Sequence, residues 1–138
     1  VRRKDIPRNR CSGTWTEAQF NTFVRNQLRG ASWKWKPISE AMKKAKVGHG
    51  IYLCQGCLHN VPVTIVVNGK RIKNVFVDHT SPIVDPVVGF VSWDEFINRL
   101  YCEEDNLQVL CGECHDKKSY EETQVAKERK KKEKEENE

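Results

Sequence analysis

The sequence lacks any apolar run approaching the roughly 20 residues that cross a bilayer. Its opening stretch, Val1 to Arg10, is basic rather than apolar. Neither a membrane protein nor a Sec-exported one is expected, and the reading is cytoplasmic. Apolar material is also scarce: 38% of the 138 residues are hydrophobic, and the stretch from Glu121 to Glu138 holds nothing larger than Val125. One domain's worth of chain is left to build a thin core, which calls for a staple.

The cysteines supply one. Four of the six form two C-x2-C pairs, Cys54/Cys57 and Cys111/Cys114, a spacing that suits thiolates on one tetrahedral ion better than a disulfide ladder. Each pair follows a short apolar run, Ile51-Tyr52-Leu53 and Val109-Leu110, as zinc knuckles at strand ends do. The 53 residues between Cys57 and Cys111 must fold back for the pairs to converge, so binding energy of the metal becomes folding energy. Four thiolates saturate one structural Zn²⁺, which leaves His59 as a solvated surface residue and gives His49 no partner. Cys11 and Cys102 read as buried small hydrophobes.

Charge is uneven along the chain. Residues 1–50 carry 12 Lys/Arg against three acids, net +9, whereas residues 51–120 are net −3 and residues 121–138 net −1. A basic block attracts phosphate through counterion release. Arg25, Arg29, Lys34, Lys36, Lys43, Lys44 and Lys46 are its candidate DNA-backbone contacts. The chain is accordingly divided into a basic arm with two helices (1–50), a core carrying the knuckles (51–122) and a charged tail (123–138). The tail lacks an apolar stripe and is expected to be frayed helix or disordered.

Within the basic region, Thr14 and Glu17 have the form of a capping box ahead of a helix of about 14 residues bearing Phe20, Phe23, Val24 and Leu28 and ending near Gly30. Pro37 suits the first residue of a second helix with Ile38, Ala41, Met42 and Ala45 on one face. Trp33 and Trp35 between them read as core or hinge packing. From Ile51 the pattern turns to strands: Val63 to Val67, an Asn68-Gly69 hairpin turn, and a returning strand from Ile72 to Val77 whose end places Asp78 and His79 on opposite faces. A loop from Thr80 to Val91 leads to a short helix, Ser92 to Tyr101, with Phe96, Ile97 and Leu100 inward. A strand over Leu107 to Leu110 and a helix from about Glu113 complete the chain.

Once the zinc ligands are set aside, Asp78, His79, Asn106, His115 and Lys118 remain as a second constellation. A fold that joins Cys57 to Cys111 brings them within reach of one another. Asp78 and His115 can share a divalent ion, and His79, leaving the strand on the other side, can take a proton from water. That division of labour suits phosphodiester cleavage. Taken singly, each residue has a plainer role, as a cap or a turn former.

The string VFVDHTSPIV, followed by DNLQVLCGECHDKKS and preceded by CQGC, resembles the HNH endonuclease family, and in its longer form the small HNH endonucleases of tailed bacteriophages. The resemblance covers roughly residues 50 to 122. It implies an α+β fold with a ββα-metal, treble-clef-like core stapled by a four-cysteine zinc and preceded by a small basic helical region. It also implies His79 as general base, Asp78 and His115 as ligands of Mg²⁺, Mn²⁺ or Ni²⁺, Asn106 as a brace of the loop carrying the base, and Lys118 as a basic residue near the backbone phosphate. Two departures stand out: the longer segment between His79 and Asn106, which obscures the partner of Asn106, and Thr80 where the family more often has an aliphatic residue.

The expected activity is metal-dependent DNA cleavage, as a nick or a double-strand cut, leaving 5′-phosphate and 3′-hydroxyl ends. The resemblance implies a homing-type role or one in DNA packaging, with phage terminase as a partner and the host cytoplasm as location. The chain is expected to act as a monomer or weak dimer. The alternative is a catalytically silent, zinc-stapled DNA-binding or packaging adaptor. A third reading is a structural zinc protein binding an acidic partner protein.

Overall fold

The computed structural model describes residues 3–138; Val1 and Arg2, the start of the expected basic arm, lie outside the described residues. The chain divides into two compact units, residues 1–34 and 35–138. Among the described residues no helix is long and apolar enough to cross a membrane.

In the first unit the chain turns back on itself through Cys11, Ser12 and Gly13, all at positive φ, and Arg10 pairs with Trp15. Cys11 is exposed in this turn rather than buried. Helix α1 (Glu17–Gly30) follows, with the expected length of 14 residues. Its capping box is Thr16/Gln19, two residues later than the sequence suggests, because the Arg10 guanidinium occupies Glu17 through bonds of 3.0 and 3.1 Å and Thr14 is turned to Cys11. After α1, Trp33 is 73% exposed. It lies on a single 3-10 turn, Ser32–Lys34, and the Lys34 ammonium sits 5.4 Å from its ring centroid, so it is not core packing.

The second unit opens with helix α2 (Lys36–Ala45), carrying Pro37 in its first turn. Strands β1 (Lys46–Gly48), β2 (Ile51–Leu53) and β3 (Asn60–Pro62) form a small antiparallel sheet in that order. Strands β4 (Thr64–Val67) and β5 (Lys70–Lys73) make the expected hairpin, with Asn68 and Gly69 both at positive φ, as a tight two-residue turn requires.

The returning strand does not run on unbroken. It divides at Asn74, and β6 (Val75–His79) leaves β4 to pair antiparallel with β7 (Leu107–Cys111). Asn74 is buried. Its side chain donates to the Pro62 carbonyl at 3.0 Å and accepts the Gly112 N–H at 3.3 Å, bonds that tie β3 to the start of helix α4 (Gly112–Glu136). Val75 and Val109 are the centre of the core, with Ala45 of α2 closing over them and Val61, Val63 and Val77 packed around.

Between β6 and β7 lies helix α3 (Trp93–Leu100), capped by Ser92. Phe96 and Leu100, one turn apart, are 1% and 2% exposed, while Ile97 falls at the edge of that face and is 37% exposed rather than inward. Trp35 donates its indole N–H to the Cys102 carbonyl at 2.6 Å and meets Tyr101 edge-on, the packing role expected for it. Helix α4 is continuous through the charged tail to Glu136. Arg129, whose guanidinium donates to the Pro86 carbonyl at 3.1 Å and pairs with Glu133 at 3.3 Å, anchors that half.

Candidate functional site

The sulfur atoms of Cys54, Cys57, Cys111 and Cys114 all lie within 4.8 Å of one another and are positioned to bind one metal ion. Local structure accounts for their convergence. Cys54 and Cys57 form the turn joining β2 to β3, closed by Leu58 N–H to Cys54 carbonyl and Cys54 N–H to His59 carbonyl bonds of 2.8 and 2.9 Å. Cys111 ends β7 and Cys114 lies in the first turn of α4. Gln55 joins the two halves: its N–H donates to the Val109 carbonyl at 2.8 Å, and its side-chain oxygen accepts the Val109 N–H at 2.6 Å. His59 is exposed and outside the cluster. Cys102 is half-buried.

Electrostatics favour a cation among these sulfurs. Burial opposes ionisation of Cys54, yet the N–H groups of Cys111, Cys57 and Gly56 outweigh it and bring the thiol to about 6. Cys114 is pushed up to about 12 by burial and then by the thiols of Cys111, Cys54 and Cys57. For Cys57, the His59 N–H favours the thiolate, but burial and the neighbouring Cys54 prevail and raise its pKa. One thiolate forms readily and suppresses the next, and a divalent ion removes that conflict. An all-sulfur, four-ligand set is consistent with a structural zinc.

A second group of side chains gathers where β6 ends. His79 shares the face of Val75 and Val77, and its Nε2 lies 2.8 Å from the Leu100 carbonyl oxygen at the end of α3. A carbonyl only accepts, so Nε2 is the donor, and in the neutral ring this tautomer puts the lone pair on Nδ1. Three backbone bonds fix the residue and its successor: the Lys118 ammonium donates to the His79 carbonyl at 3.0 Å, the Thr80 N–H donates to the Asn106 carbonyl at 2.9 Å, and His79 pairs with Leu107 across the ladder. Asn106 ends a 3-10 turn, and its side chain meets Ser81, accepting its N–H at 2.9 Å. Arg99 holds the same loop from α3, donating to the Pro82 carbonyl at 2.8 Å and the Ser81 hydroxyl at 3.0 Å.

On the opposite face of β6 stand Phe76 and Asp78. His115, in the first turn of α4, stacks on the Phe76 ring at 4.5 Å between centroids, and so faces the side of the strand that carries Asp78. The Asp78 carboxylate accepts from the Gln108 amide at 3.3 Å and pairs with Lys118 at 2.9 Å. Lys118 also pairs with Glu122, one turn further along α4. Its ammonium therefore touches three oxygens, from Asp78, His79 and Glu122. Burial works against this charge, but the bonds to Glu122 and Asp78 hold its pKa above the usual lysine range. The cation that the structure places among these oxygens is the Lys118 ammonium itself; among the described residues only the four cysteines form a group of three or more side chains able to hold a metal ion.

Sequence reasoning missed Glu122, Gln108 and the Leu100 carbonyl. Glu122 stands four residues after Lys118, a spacing that could have pointed to it; the other two depend on strand register and on where α3 ends. Of the candidate DNA contacts, Arg25, Arg29 and Lys34 belong to the first unit and Lys36, Lys43, Lys44 and Lys46 to the second. Lys44 pairs with Glu104 at 2.8 Å and Lys43 with Glu40 at 3.5 Å. Burial and the like charge of Arg25 lower the pKa of Arg29, a repulsion that an anion would relieve. Comparison with protein-family models, with curated proteins and with solved structures finds no match.

Proposed function

We propose that the protein is an HNH DNA endonuclease that hydrolyses phosphodiester bonds with His79 as general base and one divalent ion, leaving 5′-phosphate and 3′-hydroxyl ends. The observation that carries this reading is the setting of His79: Nε2 donating to Leu100, Nδ1 bearing the lone pair of the neutral ring, and the following loop clamped by Asn106 and Arg99. An imidazole held in one tautomer, at a strand end stiffened from both sides, is equipped to take a proton from water. The negative end of α3 at Leu100 stabilises the imidazolium that results.

Read this way, β6, β7 and α4 are the ββα unit of the HNH core, and the zinc-bound cysteines staple it. Asp78 and His115 would hold the ion, which would supply positive charge to the oxygen leaving phosphorus. His79 Nδ1 accepts the proton of the attacking water as the water oxygen bonds to phosphorus, the bond from phosphorus to the 3′ oxygen breaks, and that oxygen takes a proton from solvent water to become the 3′-hydroxyl. Asn106 touches no substrate in this scheme; it positions the Thr80–Ser81 backbone behind the base. The basic residues named above would grip the DNA backbone without reading sequence.

The test is supercoiled plasmid incubated with zinc-loaded protein and added Mg²⁺, Mn²⁺ or Ni²⁺, beside His79→Ala. Cleavage that requires the added ion and falls by about 100-fold or more in His79→Ala supports a base at this position. The same variant should still bind the ion, whereas Asp78→Asn and His115→Ala should not. Plasmid that is retarded on the gel but never cut would favour the silent DNA-binding adaptor instead.

A further inference from the structure

The Lys118 ammonium is held between two carboxylates of different standing. Asp78 belongs to β6 and is the proposed ion ligand, while Glu122 lies one helical turn along α4 from Lys118 itself. Lys118 is three-quarters buried at its side chain and keeps a third oxygen, the His79 carbonyl, at 3.0 Å. It is thus not free to meet a backbone phosphate, the role the family resemblance implies. A divalent ion that ligates Asp78 must share its carboxylate with this ammonium or displace it, and Glu122 offers the displaced charge a seat on its own helix.

We propose that Lys118 is an internal cation that competes with the divalent ion for Asp78, and that Glu122 is a positioning residue that draws the ammonium aside and so sets the affinity of the site. The inference rests on the reading of Asp78 as an ion ligand. The two seats of the ammonium give its direction. Removing Lys118 leaves the Asp78 carboxylate to the ion and should strengthen binding, whereas neutralising Glu122 removes the ammonium's other seat, returns it to Asp78 and should weaken binding. If Glu122 acts through Lys118, its effect depends on Lys118 being there.

The experiment is calorimetric titration of Mn²⁺ into the full zinc-loaded chain; Mn²⁺ prefers oxygen ligands and leaves the thiolate site to zinc. Lys118→Met should bind Mn²⁺ about fivefold more tightly than the wild type, and Glu122→Gln about fivefold more weakly. In the double variant the Glu122→Gln effect should largely vanish. Unchanged or weaker binding by Lys118→Met overturns the competition. An undiminished Glu122→Gln effect without Lys118 overturns the positioning role and would make Glu122 a direct ligand. Asp78→Asn separates the two levels: Mn²⁺ binding indifferent to it sinks the ligand assignment itself, whereas binding that needs Asp78 but ignores Lys118 and Glu122 sinks this inference alone.

Discussion

The side-chain oxygen of Asn106 accepts the backbone N–H of Ser81 at 2.9 Å, while the Asn106 carbonyl accepts the N–H of Thr80 at the same distance. One residue therefore fixes two consecutive peptide units directly behind His79. Asn106→Ala keeps the backbone bond and loses the side-chain one, at a cost of about 1 kcal/mol in a partly exposed setting. Cleavage should fall much further than stability, by about 100-fold, if the loop shifts the base by as little as 1 Å. Asn106→Asp retains the accepting oxygen and should recover most of that loss. Melting temperature and plasmid cleavage measured on the same three proteins check this, and an equal loss in Ala and Asp variants would contradict a positioning role.

The cysteine cluster has a steric requirement at Gly56. A β-carbon there would stand 3.1 Å from Cβ and Sγ of Cys114 and 3.1 Å from a methyl of Leu110. The neighbours are a half-buried sulfur of the cysteine cluster and a core side chain 3% exposed, and both would have to shift to admit the methyl. Gly56→Ala should destabilise the protein by about 1–3 kcal/mol and weaken zinc retention. Competition with a chromophoric chelator reads the second effect, and wild-type retention would show that the knuckle relaxes without cost.

Zinc capture should also release protons in a way set by the thiols. In metal-free protein above pH 6 Cys54 is already the thiolate, while Cys57 and Cys114 keep their protons because their pKa values are raised. Binding at neutral pH must expel a proton from every ligand thiol that still carries one, Cys57 and Cys114 among them, so affinity rises with pH. Below about 6 Cys54 is protonated as well and the dependence steepens. Stability of the metal-free form follows the same sign for Cys54: its lowered pKa contributes most above the ordinary thiol value of 9.0 and is lost as pH falls through about 6. Calorimetry in buffers of different ionisation heat counts the protons. Chelation at neutral pH should unfold the second unit, since structural zinc contributes on the order of 10 kcal/mol in small domains.

Much of this arrangement was legible from spacing. The two C-x2-C pairs, the Asn68-Gly69 turn and the alternation of Asp78 and His79 are local patterns whose geometry follows from the pleat and from turn chemistry. What escaped were relations set by distant packing. Nothing near Asn74 announces that the strand changes partners there; that follows from a buried amide reaching both Pro62 and Gly112. The Leu100 carbonyl became the partner of His79 only because Phe96 and Leu100 anchor α3 against the core, so the long segment that obscured the role of Asn106 turns out to supply a contact of its own. Thr14 and Glu17 fit the capping pattern as well as Thr16 and Gln19 do, and the tie was broken by Arg10.

Trp33 offers a separation of packing from nucleic-acid contact within the first unit. A tryptophan that filled a core would cost about 3–5 kcal/mol on truncation to alanine. At 73% exposure, Trp33→Ala should change stability by no more than about 0.5 kcal/mol. Its neighbours Arg29 and Lys34 are cations; if they contact DNA phosphates as proposed, each contact releases counterions, and Lys34→Ala should lower the slope of log affinity against log salt by about 1. Trp33 carries no charge. If it stacks on a base, its removal weakens binding at every salt concentration while leaving that slope intact. Fluorescence-anisotropy titrations of a short oligonucleotide across a salt series, run on both variants, distinguish the two effects. A Trp33→Ala protein that melts several degrees early and binds DNA normally would return this residue to the packing role its sequence suggested.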